Sequence, residues 1–338
     1  MLAMASFLPE GVSDGEYVSP PGRADATGTR RGILRPMSAA PHRIERVDLY
    51  PIRIRYPRPM QWASLSEDAA DYMLLKLVTA DGIAGVAEGS VKTTWTGTTL
   101  RSLQAVIEEL FAPRLIGLDI ADDAAVASLW RVREHALAKA MIDVALWDIR
   151  AQVAGKPLWA LWGGSREAEV SSVVTRQAPA AMASEAEEVV ARHGIRTLKV
   201  KGGQGIETDL EALDAIRAAV GPGVVLYVDA NKEYSAEETP AYCAKLAERG
   251  VVMVEDPCTL EPDDAFTRLQ QECPLPLLVD NTCRTLAAAK LFVERGARAF
   301  NLKLQKARGY TENWEIVRHA TAHGCDVNIG LFGESSLG

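Results

Sequence analysis

Val224-Val225-Leu226-Tyr227-Val228-Asp229-Ala230-Asn231 is an unbroken apolar run that stops on an acid and an amide. A strand with no polar alternation is buried on both faces, as strands of a parallel sheet are. The same design recurs on either side. Ile195 to Lys201 ends in Lys199-Val200-Lys201, Val251-Val252-Met253-Val254 in Glu255-Asp256-Pro257, and Leu277-Leu278-Val279 in Asp280-Asn281. Ala297 to Lys303 ends in Asn301-Leu302-Lys303. These ends lie roughly 25 residues apart, too far for hairpins and right for strand–helix units.

The intervening segments read as helices that end in glycine just before the next strand, at Gly194, Gly250, Gly296 and Gly324. Glycine accepts the left-handed conformation that ends a helix. Ser235-Ala236-Glu237-Glu238 is a capping box opening one of them. Counting outward, strands are expected near 171–175, 196–201, 224–229, 251–255, 276–280, 299–303 and 326–331. Seven strand–helix units predict a (β/α) barrel with its chemistry at the C-terminal strand ends. A closed barrel needs an eighth strand, so the C-terminal part of the barrel is expected to be missing from this chain, which stops at Gly338.

Before residue 166 the pattern differs. Residues 43–56 alternate as a half-buried strand, Tyr72 to Ala80 reads as a second, and Ile83 to Glu88, after the turn Asp81-Gly82, as a third. Pro57–Asp71, carrying Trp62, and Lys92–Thr98 read as loops. Helices follow over Leu100–Phe111 and, in two pieces, Asp122–Gln152. The expected organisation is a disordered extension over 1–42, an α+β capping domain over 43–165 and the barrel over 166–338.

The 338 residues carry a net charge of −8 and no basic run, which excludes a nucleic-acid partner. No stretch has the roughly 20 apolar residues of a membrane helix, so no membrane partner is expected. Five cysteines without metal-like spacing read as free thiols of a reducing compartment, so a cytoplasmic location is expected.

The strand ends carry the chemistry. Lys199 and Lys201 share one face, where two neighbouring ammonium groups disfavour each other's charge and push a lysine toward use as a base. Asp229, Glu255 and Asp280 offer hard oxygen donors from three successive strands, suited to Mg2+ or Mn2+. Lys303 stands across the barrel from Lys201. Asn231 shares a face with Asp229, and Glu334 lies in a glycine-rich loop; both are candidate substrate contacts, as are Thr175 and Trp62. None of the five histidines ends an expected strand.

From about Ile44 to Gly338 these motifs resemble the enolase superfamily and, within it, the muconate lactonizing enzyme subgroup. Ala140 to Ile149, Gly155-Lys156-Pro157-Leu158 and Leu161-Trp162-Gly163-Gly164 look like the family's stretch joining cap to barrel. The resemblance implies a modified TIM (β/α)7β-type barrel under a cap that sets specificity. It implies Lys201 and Lys303 as acid/base groups on opposite faces of the α-carbon, tuned by Lys199, with Asp229, Glu255 and Asp280 holding Mg2+ or Mn2+ against an enediolate. The implied activity is that of an isomerase, a racemase, epimerase or cycloisomerase of a small carboxylate, with dehydration possible, in a homo-oligomer. A Schiff-base aldolase on the same barrel and a degenerate, non-catalytic metal-binding relative remain alternatives. Two departures stand out: Asn281 where the family usually has Glu, and Arg308-Gly309 where it usually has Gly-Gly.

Overall fold

The computed structural model describes residues 42–62, 65–335 and 337. The extension expected over 1–42 lies outside these except for His42, whose Nδ1 is 2.5 Å from Asp81 Oδ2. Three antiparallel strands come first: β1 (Ile44–Trp62), β2 (Leu65–Thr79) and β3 (Ala84–Val91), in that order. Then follow α1 (Thr93–Thr96), α2 (Leu100–Ala105), a π-helical turn over Val106–Phe111, α3 (Ala112–Leu115), α4 (Asp123–Leu129), α5 (Ala136–Ala154) and α6 (Leu158–Leu161).

One expectation fails here. Pro57–Asp71 is not a loop: β1 and β2 run on as a hairpin, with Met60 opposite Glu67 and Trp62 opposite Leu65. Pro57 and Pro59 have no N–H to give to a ladder. β1 is an edge strand, and the register shifts between Arg55 and Met60, so the prolines fall in an irregularity where no ladder bond is needed. The expected loop at Lys92–Thr98 contains the single turn α1, closed by Gly97 at φ +66°.

The second half alternates strictly. β4 (Ser172–Val174), α7 (Pro179–His193), β5 (Thr197–Lys201), α8 (Ile206–Val220) and β6 (Val225–Asp229) lead to α9 (Thr239–Glu248) and β7 (Val251–Glu255). α10 (Asp264–Glu272), β8 (Leu277–Val279), α11 (Leu286–Glu294), β9 (Ala299–Leu302), α12 (Gly309–Ala322) and β10 (Asp326–Ile329) complete it. The seven strands form one parallel sheet in the order β10-β9-β8-β7-β6-β5-β4. All seven lie where the apolar runs predicted. Ser235 and Glu238 exchange the expected capping bonds ahead of α9.

The sheet is curled. The Tyr227 hydroxyl on β6 meets Ser171 Oγ at 3.0 Å beside β4 and accepts from Asn328 Nδ2 at 3.4 Å on β10, so both edge strands reach one interior side chain. Among the described residues β4 and β10 do not pair with each other, and the observed architecture is this curled half-barrel under an N-terminal sheet domain. The main core lies between sheet and helices, around Leu198, Leu226, Val254, Phe292 and Phe300. A second core joins β2 and β3 to α5. Inside the curl, Tyr227, Met253, Leu278 and Ala299 form a small apolar plug.

Candidate active site

The period of two in a strand builds the site directly above that plug. Residues two beyond the plug on each strand are Asp229, Glu255, Asp280 and Asn301, and Lys199 and Lys201 share the same face of β5. The parallel register sets Lys201 beside Asp229, Asp229 beside Glu255, and Leu278 beside both Glu255 and Ala299. A row of three acids is thereby flanked by Lys199 and Lys201 on one side and Lys303 on the other. Lys201 and Lys303 both line a cavity of about 1040 Å3, with Asp229, Asp280 and Asn231. The cap closes it with Trp95 and Thr98, and the start of α5 adds another wall.

The acids are almost fully buried, at 2%, 1% and 4% exposure for Asp229, Glu255 and Asp280. They survive there because each meets a cation. Lys199 Nζ lies 2.9 Å from Asp229 Oδ2 and 2.7 Å from Glu255 Oε2. Lys201 donates to Asp229 Oδ2 at 2.6 Å and to Asn231 Oδ1 at 3.1 Å. Lys303 donates to Asp280 Oδ2 at 2.5 Å. Lys306 donates to Asp280 Oδ1 at 2.8 Å and to the Asn301 carbonyl at 2.7 Å.

Burial alone would lower the Lys199 ammonium, but Asp229 and Glu255 outweigh it and hold Lys199 well above the ordinary lysine value. Lys303 behaves alike: burial would lower it, but Asp280 outweighs that and raises it. The depression expected from a neighbouring ammonium is therefore not what dominates at Lys199, whose Nζ lies within 3 Å of two carboxylates. Asp229 and Asp280 sit far below the carboxylate range; burial pushes them up, but Lys199 and Lys201 outweigh it at one and Lys306 and Lys303 at the other. Glu255 goes the other way, to about 7, through burial and the adjacent Asp229.

Divalent-metal binding can be judged from the donors. Three carboxylates from adjacent strand ends are a hard oxygen set of the kind Mg2+ accepts. Glu255 Oε2 is buried and makes no hydrogen bond, since its contact with Lys199 lacks hydrogen-bond geometry. Among the described residues no three His, Cys, Asp or Glu donors converge closely enough to hold a metal as they stand, the Lys199 ammonium lying between Asp229 and Glu255. The donor chemistry fits, with lysine ammonium groups as the present counter-charge.

The other expected contacts divide. Asn231 lines the cavity in a left-handed conformation at φ +52°, its N–H bonded to Asp229 Oδ1 at 3.0 Å. Thr175 turns to α7, where its N–H and hydroxyl both donate to Glu185. Glu334 accepts from Gln305 Nε2 at 3.1 Å and the Phe332 N–H at 2.6 Å, and so pins the loop after β10 rather than lining the cavity. Trp62 ends β1, and its side chain lies outside those described. Asn281 donates through Nδ2 to Asp256 Oδ2 at 2.5 Å. A glutamate there would face that buried carboxylate with like charge, which gives the amide a physical reason. Sequence reasoning missed Lys306 and Phe332. Lys306 follows Lys303 by three residues in the turn after β9, a visible signal; Phe332, whose ring lies 5.3 Å from Lys303 Nζ and 5.6 Å from Trp95, had none.

Comparison with known proteins agrees with this fold. Residues 47–163 match the mandelate racemase / muconate lactonizing enzyme N-terminal domain, and residues 181–338 the enolase C-terminal domain-like family. A hydrophobic dipeptide epimerase of Roseobacter litoralis is 33% identical over 86% of this chain and 84% of its own. A chloromuconate cycloisomerase of Pseudomonas putida is 28% identical over 88% and 82%. The solved dipeptide epimerase of Cytophaga hutchinsonii, complexed with Mg and the dipeptide D-Ala-L-Val, superposes with a TM-score of 0.80 at 28% identity, covering 87% of this chain and 81% of that one.

Proposed function

Because the chain belongs to the mandelate racemase/muconate lactonizing enzyme family and is an isomerase of the racemase, epimerase or cycloisomerase kind, we propose that it removes and returns the proton alpha to the carboxylate of a small-molecule substrate, with Lys201 and Lys303 as the paired acid and base. The observation that carries this reading is the placing of these two lysines on the same cavity, at separate strands of one curled sheet, with a row of buried acids between them.

In this reading the sheet is a modified (β/α)7β barrel and the N-terminal domain its cap. One lysine, as the amine, takes the proton through Nζ on one face; the other, as the ammonium, delivers a proton through Nζ to the opposite face. Lys303, raised by Asp280 against its burial, is poised as the donor. Lys199, held positive between Asp229 and Glu255, supplies a fixed charge toward a substrate carboxylate. Asp229, Glu255 and Asp280 would hold Mg2+ or Mn2+. A bound divalent ion would supply charge neutralisation for the substrate carboxylate. Asn231 orients Lys201. Homo-oligomeric assembly, from the family, and a cytoplasmic location, from five buried free cysteines, belong to the same proposal.

The test is α-proton exchange in D2O with Mg2+, followed by NMR on both enantiomers of acylamino acids and dipeptides. Wild type should exchange both. Lys201→Ala should lose exchange of one enantiomer, Lys303→Ala that of the other, and both should lose epimerisation. Exchange of both enantiomers surviving in either variant sinks the assignment.

A further inference from the structure

Lys139, on the first turn of α5, is buried to 9% exposure yet faces the active-site cavity. Its ammonium makes no hydrogen bond or ion pair among the described residues. The stem is buried and the ammonium has only the cavity to meet, and burial with the nearby Arg308 pushes this lysine below its ordinary value. Arg308 lines the same cavity. Its Nη2 is 2.6 Å from Glu312 Oε2 and its guanidinium lies 5.2 Å from the Trp130 ring, but its buried Nε has no acceptor. Arg308 also sits at φ +32°, a strained conformation for a side-chain-bearing residue. Backbone strain, the partnerless Lys139 ammonium and the buried, unsatisfied Arg308 Nε thus lie on the wall of one cavity.

The charged groups facing the pair are Glu312 and Glu134 and, on the Arg308 side, the buried Asp143, which accepts from Thr311. Glu312 is committed to Arg308 and to the N–H of Leu286, at 2.8 Å. Glu134 lines the cavity but makes no ion pair with Lys139. No carboxylate of the described residues therefore satisfies the Lys139 ammonium.

We infer that Lys139 and Arg308 form a second anion-binding subsite in the cavity, so that the preferred substrate carries an anionic group remote from the carboxylate that is activated. The inference rests on the proton-transfer reading only in placing the substrate in this cavity. An acyl-chain carboxylate and a side-chain carboxylate share the chemistry, and the test separates them.

Two matched pairs serve as probes: N-succinyl-L-phenylalanine against its succinamyl carboxamide, and L-Ala-L-Glu against L-Ala-L-Gln. Each is titrated calorimetrically into the Mg2+-loaded protein and followed for α-proton exchange. In at least one pair the carboxylate should bind on the order of tenfold tighter than the amide, the size of one charge-assisted hydrogen bond. That ratio should fall toward one in Lys139→Met and in Arg308→Gly, the latter placing glycine where φ is positive and so preserving the fold. Equal affinity within both pairs, or a preference that survives both substitutions, overturns the subsite. Calorimetry decides this even if no probe exchanges its α-proton, whereas absent exchange with retained charge discrimination would overturn the proton-transfer reading instead.

Discussion

Asn301 on β9 donates through Nδ2 to Glu255 Oε1 on β7 at 2.8 Å, reaching across the intervening β8. Both residues are fully buried. The bond is possible only because the sheet curls, which brings alternate strands within side-chain reach. It fixes one oxygen of Glu255 and leaves the other, Oε2, without a hydrogen bond and directed at the neighbouring charges.

Asn301→Ala should therefore destabilise the protein by about 1–3 kcal/mol, because a buried carboxylate oxygen loses its donor. Mg2+ affinity should fall about 10- to 100-fold as Glu255 loses its orientation. Urea unfolding and Mg2+ titration measure the two effects separately. Unchanged Mg2+ affinity would remove Glu255 from the metal-binding set.

Lys306 is a structural cation rather than an acid/base group: its ammonium is spent on Asp280 and the Asn301 carbonyl. Lys306→Met should cost about 3–5 kcal/mol, as expected when one partner of a buried ion pair is removed. Lys201→Ala, at 19% side-chain exposure, should cost far less stability while losing activity by about 100- to 10,000-fold. Denaturant midpoints and exchange rates on both variants check the contrast.

Mg2+ should raise the thermal midpoint of the folded protein. At a concentration 100 times its dissociation constant the gain is about 2.7 kcal/mol. EDTA should reverse it, and Glu255→Gln should remove most of it. A midpoint indifferent to Mg2+ in wild type would count against the three acids as ligands.

Asp143 on α5 gives a pH dependence away from the site. Burial raises its carboxyl to about 6, against the lowering effect of Thr311, whose N–H and hydroxyl donate to it at 2.9 and 2.5 Å. Between about pH 4 and 6 the unfolded chain has lost this proton while the folded protein keeps it. The unfolded state then binds fewer protons, so stability falls as pH rises through that window, by up to about 3 kcal/mol. Asp143→Asn should flatten the fall, since its amide can donate to the Thr311 hydroxyl. Urea midpoints of both proteins at pH 4, 5 and 6 measure the difference. A wild type that gains stability relative to the Asp143→Asn variant as pH rises from 4 to 6 would contradict the sign.

Much of this was legible in the chain itself. Continuous apolar runs ending at Lys201, Asp229, Glu255, Asp280 and Lys303 carry their own geometry, because a buried parallel strand has a fixed side-chain period and a fixed end where loops place polar groups. Strand positions, the two-piece helix before residue 152 and the joining of the candidate lysines and acids in one layer all followed from that. The hairpin over Pro57–Asp71 did not, because edge position and a register shift, which excuse the prolines, are properties of pairing. The turning of Thr175 to Glu185 was equally hidden, since a residue just past a strand end has no period to aim it.

Which residues face inward, and in what order they run along the sheet, is written in the chain, since alternation is local and needs no partner. Which charges meet is a matter of packing. Lys199 sits between two acids, Lys306 rather than Lys303 satisfies the far side of Asp280, and Lys139 faces the cavity with no partner among the described residues. Those outcomes depend on how sharply the sheet curls and how α5 packs on α12, and electrostatic energy depends on distances that no spacing along the chain specifies.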